Sequence, residues 1–191
     1  MSTNLSKNFT LDEFEFSSTA QRKGIDNSLP KDLLPSATRL ATHIMQPVRD
    51  KYDIPFSPTS GYRCLDLNRE IGSSDKSQHV KAEAVDFVVP GIPNIYLAQW
   101  IADNLNYDQL ILEFWDEEKP NKGWVHCSYK NSYENRYQIL TVCLSRDWVI
   151  DHECTMVHTT KSEGFLVLTL AETGAKRIFP IANILSFEID G

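Results

Sequence analysis

The sequence predicts an α+β fold, with helices packed on a small central antiparallel sheet and a small C-terminal all-β appendage. Two segments place apolar residues at helical spacing, and three short runs rich in β-branched, aromatic and other apolar residues read as strands. After the polar stretch KNSYENR (130–136) the pattern turns strand-like and stays so. At 191 residues, 41% of them hydrophobic, the chain can form one domain of ordinary size plus a small addition. The division is expected at 136/137, giving a first domain of residues 1–136 and a β-rich module of residues 137–191.

Within 29–52, Leu40, Ala41, Ile44, Met45 and Val48 form the stripe of an amphipathic helix. Pro47 should bend that helix or end it early, because proline lacks the backbone donor and clashes with the preceding turn. Polar, Ser-rich residues 66–78 read as irregular. Strands are expected at 84–89, 109–115 and 124–129, paired as one antiparallel sheet, with a second helix at 93–106 presenting Leu97, Trp100, Ile101 and Leu105 on one face. In the appendage, strand-like runs occur at 138–144, 155–159, 165–170, 177–180 and 184–189.

Composition narrows the function classes. With 19 basic against 26 acidic residues, the net charge is -7 and no basic run offers a track for phosphates, so nucleic acid is not an expected partner. No segment has the length and apolarity of a membrane span, and the first residues, MSTNLSKNFTLDEFEF, lack the apolar core of a secretory signal. The expectation is a product made and left in the cytoplasm, which reaches any target outside the inner membrane only when something else releases it, as in phage lysis. Four cysteines without a CxxC pair (Cys64, Cys127, Cys143, Cys154) read as reduced thiols, with a Cys143–Cys154 bridge left open.

Three polar residues interrupt runs that belong in a core: Asp86 in EAVDFVV, Glu113 in LILEFW and His126 in WVHCSY. A buried carboxylate costs several kcal/mol unless it is paired, hydrogen-bonded or metal-bound. Alternation along a strand puts Asp86 on a face with Ala84 and Val88, Glu113 with Gln109 and Ile111, and His126 with Trp124 and Ser128. His79 stands seven residues before Asp86 at the end of the polar stretch, placed to fold back over the strand. Two imidazoles and a carboxylate make a nitrogen and oxygen set that leaves a fourth position open, which suits one catalytic Zn2+. His43, His152 and His158 are assigned structural or surface roles.

The wording around these residues, SGYRCLDLN (60–68), SQHVKAEAVDF (77–87) and WVHCS (124–128), resembles the zinc D-alanyl-D-alanine carboxypeptidases. That family, whose fold is also hedgehog-like, includes vancomycin-resistance D,D-dipeptidases and the L-alanyl-D-glutamate endopeptidases of phage lysins. The resemblance runs from about Phe9, in FTLDEF, to about Tyr129. Carried over by motif, S-x-H-x-x-G-x-A-x-D implies zinc ligands at His79 and Asp86, and W-x-H implies the third at His126. It implies that Arg63 binds substrate or stabilises the transition state, where a guanidinium can pair with a carboxylate or a developing oxyanion. Ser77 opens the S-x-H motif as a substrate-binding candidate or, more simply, as a hydrogen-bond donor that orders the loop.

Two positions depart from the pattern. The family glycine is Ala82 here, tolerable if that residue keeps a negative φ. The acidic residue that several members carry three positions before the last histidine is Gly123 here, so Glu113 is the expected general base, with Asp116, Glu117 and Glu118 as rivals. The implied activity is hydrolysis of an amide bond in the stem peptide of peptidoglycan. The rival class is a zinc-bearing module that binds cell wall or serves in a virion without cutting.

Overall fold

A computed structural model of the chain describes residues 3–116 and 119–143, and two short strands at 167–169 and 176–178. Thr10 opens the first helix, α1 (Leu11–Glu15), through a reciprocal cap. Its hydroxyl accepts from the Glu13 amide at 3.4 Å, and the Glu13 carboxylate accepts from the Thr10 amide at 3.0 Å. Both amides would otherwise lack partners at a helix start. A second short helix, α2 (Ser18–Lys23), follows, capped by the Ser17 hydroxyl.

The long apolar stripe forms α3 (Leu34–Leu40) and α4 (Gln46–Tyr52), joined by a wide π turn at Ala41–Met45. The expected break at Pro47 does not occur. The Gln46 amide bonds the Ala41 carbonyl five residues back, and Pro47 falls in the first turn of α4, where a missing donor is tolerated. Leu40, Ala41, Ile44, Met45 and Val48 all face the core, as their spacing predicts.

The stretch 66–78 is less irregular than its composition implies, because Leu65–Glu70 forms a helix, α5. The Cys64 sulfur accepts from the Leu67 amide at 3.4 Å, and the side-chain amide of buried Asn68 donates to the Ser74 carbonyl at 2.7 Å. So short a helix is too brief to show a periodic stripe. A 3₁₀ turn at Gln78–Lys81 then leads into β1 (Ala84–Phe87), and α6 (Asn94–Asn104) precedes β2 (Gln109–Trp115) and β3 (Trp124–Ser128).

β4 (Gln138–Cys143), expected in the appendage, instead extends the central sheet, whose order is β1-β3-β2-β4. β3 pairs antiparallel with β1 and with β2, as expected, whereas β4 runs parallel to β2, so the sheet is mixed. The physical reason lies in the connection: β3 ends beside the start of β2, and the link through 129–137 enters β4 at that same end. The rest of the expected module lies outside the described residues except for β5 (Val167–Thr169) and β6 (Lys176–Ile178), an antiparallel pair.

The register sorts the sheet residues by face. Val85, Phe87, Leu110, Leu112, Val125 and Cys127 are buried in one cluster with Leu97 and Ile101 of α6 and Leu40, Ile44 and Val48 of α3, the π turn and α4. Burying each large apolar side chain contributes about 1.5–3 kcal/mol. The opposite face presents Asp86, His126, Ile111, Glu113 and Trp124 in adjoining register positions, and this is the face that holds the polar residues. Among the described residues no helix is long and apolar enough to cross a membrane.

Candidate metal centre

Cross-strand pairing sets Asp86 opposite His126, and His126 opposite Ile111, so the first two side chains meet without any loop having to bring them together. The Asp86 carboxylate Oδ1 lies 2.7 Å from Nδ1 of His126. His79 arrives from the 3₁₀ turn, with Nε2 3.3 Å from Nδ1 of His126 and 3.2 Å from Oδ1 of Asp86. All three residues are buried.

Two of the three residues, His79 and Asp86, are aimed by partners outside the cluster. His79 Nδ1 is 2.7 Å from the Gly61 carbonyl, which can only accept, so the ring proton sits on Nδ1 and the Nε2 lone pair faces Asp86 and His126. The Gly61 carbonyl is in turn set by α1. The Tyr62 amide donates to the Phe14 carbonyl at 2.9 Å, and a methyl group at position 61 would lie 2.3 Å from that carbonyl oxygen. Asp86 is tied by its backbone to the neighbouring segment, with its amide 2.8 Å from the Ser60 carbonyl and its own carbonyl 2.8 Å from the Thr59 amide. Its second oxygen, Oδ2, accepts from the Arg63 guanidinium at 2.7 Å.

The electrostatics favour ligand forms. Burial opposes charge on His79 and lowers its pKa, although Asp86 pulls the other way. Burial also opposes the charge on Asp86, but His79 beside it and the hydrogen bond from His126 outweigh it and hold the carboxylate well below its usual range. A tetrahedral ion with ligand distances of about 2.0–2.1 Å sets its donor atoms about 3.3 Å apart. Two of the three separations, 3.2 and 3.3 Å, agree, and the 2.7 Å one is a hydrogen bond that an ion would replace. The three donor atoms lie within 4.8 Å of one another, and the donor set fits zinc.

The other expected site residues sort as follows. Glu113 is half-buried on the same sheet face, opposite Trp124, and its carboxyl pKa is raised by burial and by the charge of Asp86. His126 and Arg63 pull it down in part. Arg63 donates from Nε to the Ser60 hydroxyl at 2.8 Å as well as to Asp86, so it braces the Asp86 carboxylate. It also lines an open cavity of about 330 Å³ together with Asp86, Phe16, Thr59, Leu67 and Trp124. The Ser77 hydroxyl accepts from the His79 amide at 3.3 Å, so it orders the turn as an acceptor and not as the expected donor. Asp116 is engaged by Lys122 at 3.4 Å, whereas Glu117 and Glu118 lie outside the described residues.

Of the two departures, Ala82 revises its expectation and Gly123 is given a physical reason. Ala82 adopts φ 55°, in the left-handed region, so the expected negative φ is not kept. Its buried methyl and the bond from its amide to the His79 carbonyl at 3.1 Å hold it there at a cost of about 1–2 kcal/mol. Gly123, at φ 76°, has no room for any side chain: a Cβ would stand 1.8 Å from the Glu113 carbonyl oxygen. An acid at that position is excluded by the strand pairing itself. His43 stacks on Tyr129 with ring centroids 4.5 Å apart, the structural role expected of it, while His152 and His158 lie outside the described residues. Cys64 and Cys127 are free thiols, as expected. Sequence reasoning passed over buried Asp108 and its partners Gln78 and Arg136; an acid at the head of a strand was their only signal.

The family model for peptidase M15 matches residues 7–128, well over half of the chain. The chain belongs to the peptidase M15 family. Membership makes it a metallopeptidase of a zinc-dependent family and implies a substrate related to peptidoglycan. The M15 match contains α1, with the Phe14 that braces the Gly61 carbonyl, and all three metal-site residues, and it ends at the last residue of β3. No curated protein matches this M15 chain.

Proposed function

We propose that the chain is a zinc peptidase, with one ion held by His79, Asp86 and His126, that hydrolyses an amide bond in the stem peptide of peptidoglycan. It acts as a D-alanyl-D-alanine carboxypeptidase or as an L-alanyl-D-glutamate endopeptidase. The observation that carries this reading is the convergence of the three donor atoms on the sheet face that also presents Glu113, beside an open cavity.

When bound, zinc supplies Lewis acidity that polarises a carbonyl and brings the pKa of water from about 15.7 toward about 7. Glu113 accepts the proton of the attacking water and returns it to the leaving amine. Its carboxyl is half-buried on the sheet face of the three donor residues, where burial raises its pKa and so eases both taking and returning a proton. Arg63 holds Asp86 in place and, from the cavity wall, meets the substrate carbonyl or a terminal carboxylate. Ser77 keeps the turn that carries His79 in register.

Glu113→Ala should retain zinc by elemental analysis while hydrolysis of purified wall falls by about 100-fold or more. Activity kept in that variant would remove Glu113 as the base. His126→Ala should lose the metal, and an unchanged zinc content would refute the ligand set. A digest of defined muropeptides read by mass spectrometry identifies the bond from the mass released. Binding without any product would favour a recognition module.

A further inference from the structure

Asp108 stands at the head of β2 with its side chain fully buried, and it reaches both elements that bear the histidines. Through the backbone, its amide donates to the carbonyl of Ser128 at 2.7 Å, two residues beyond His126 on β3. Through the side chain, Oδ2 accepts from the Gln78 amide group at 2.9 Å, one residue before His79. The Gln78 carbonyl accepts from the Glu83 amide at 3.0 Å and so closes the turn just ahead of β1.

The carboxylate is held in its turn. Arg136 donates to Oδ2 from Nη2 at 2.6 Å and to Oδ1 from Nε at 3.0 Å, its backbone amide adds a bond to Oδ1 at 3.1 Å, and Lys130 lies 3.6 Å from Oδ1. A buried carboxylate with this many donors is a rigid anchor, because moving it would strand a charge in a place that water does not reach. Gln78 is the link in this network that touches the turn carrying a metal-site residue.

We infer that Asp108, fixed by Arg136, is a positioning residue for the metal centre, acting through Gln78 to hold the turn of His79 at a set distance from the strand of His126. The inference rests on the reading of His79, Asp86 and His126 as zinc ligands. It adds that the spacing of the two imidazoles is set by Asp108, Gln78 and Arg136, none of which lines the cavity. Changes to partners that orient metal ligands weaken metal binding by about 10- to 100-fold.

The test uses zinc alone as the probe, titrated into metal-free full-length protein against a chromophoric chelator, with the absorption spectrum of the Co2+-loaded protein as a second readout. Gln78→Ala removes the link and leaves the Asp108–Arg136 pair intact. It should bind zinc about tenfold or more weakly and shift the Co2+ bands, while the urea midpoint of the metal-free protein stays close to that of the unsubstituted chain. In the cycle with Asp108→Asn, the two losses should be less than additive. Zinc affinity and Co2+ spectrum unchanged in Gln78→Ala would overturn the positioning role, whether or not Asp108→Asn folds. Failure of the unsubstituted protein to bind zinc would instead overturn the ligand assignment on which it rests.

Discussion

A methyl group at position 123 would occupy the space of the Glu113 carbonyl, 1.8 Å from its oxygen, and at φ 76° it would also be strained. The contact belongs to the pairing of Glu113 with Trp124, so the glycine that removes an acid from this position also lets the strand bearing Glu113 approach β3. Gly123→Ala should therefore destabilise the fold by about 3 kcal/mol or more, from overpacking plus the left-handed backbone. A urea midpoint equal to that of the unsubstituted protein would show that the strands can part there without cost. Phe114, next to Glu113, also has a positive φ of 53°, and the pairing of β2 with β4 shifts register between Glu113 and Trp115. Bulges of this kind re-aim the neighbouring side chains.

At the scale of elements, α1 is five residues long yet positions the site. Phe14 is fully buried against Gly61, and the Gly61 carbonyl selects the His79 ring proton. This gives a physical role to the FTLDEF segment, which lies far from His79, Asp86 and His126 in sequence. Because so short a helix cannot hold itself, its cap matters in proportion. Thr10→Ala should cost about 1 kcal/mol of stability. The Thr10 hydroxyl and amide both engage Glu13, whose other oxygen accepts from Ser57 at 2.9 Å, so thermal unfolding of Thr10→Ala should show a lowered midpoint. An unchanged midpoint would mean that packing of Phe14 alone sets the helix.

For the whole molecule, the decisive element is β4. Ile139 and Leu140 are buried and the strand pairs along the full length of β2, the strand of Glu113. A chain ending at residue 136 should therefore be less stable than one ending at 143, and by more than the loss of an exposed tail would produce. Equal urea midpoints would show that β4 adds no stability to the sheet.

That His79, Asp86 and His126 belong to one site was carried mainly by the resemblance of the wording around them, whereas the helical stripes and the first three strands were legible because alternation and 3.6-residue spacing are local properties. The polar residues stood out against apolar runs for the same reason. The place of β4 was not legible, since parallel pairing depends on where a connection returns the chain. The helix at Leu65–Glu70 and the unbroken path through Pro47 were set by capping and by a π turn, which no apolar pattern encodes. Asp108, Gln78 and Arg136 were invisible for a related reason: residues 28 and 30 positions apart become one network only after the sheet and its loops close around them. The sequence by itself singled out the side chains proposed to carry the chemistry, because burying a carboxylate or an imidazole in a strand demands a partner. Only the tertiary structure decided how those side chains are aimed, because aim depends on carbonyls, guanidinium groups and glycine contacts contributed by distant segments.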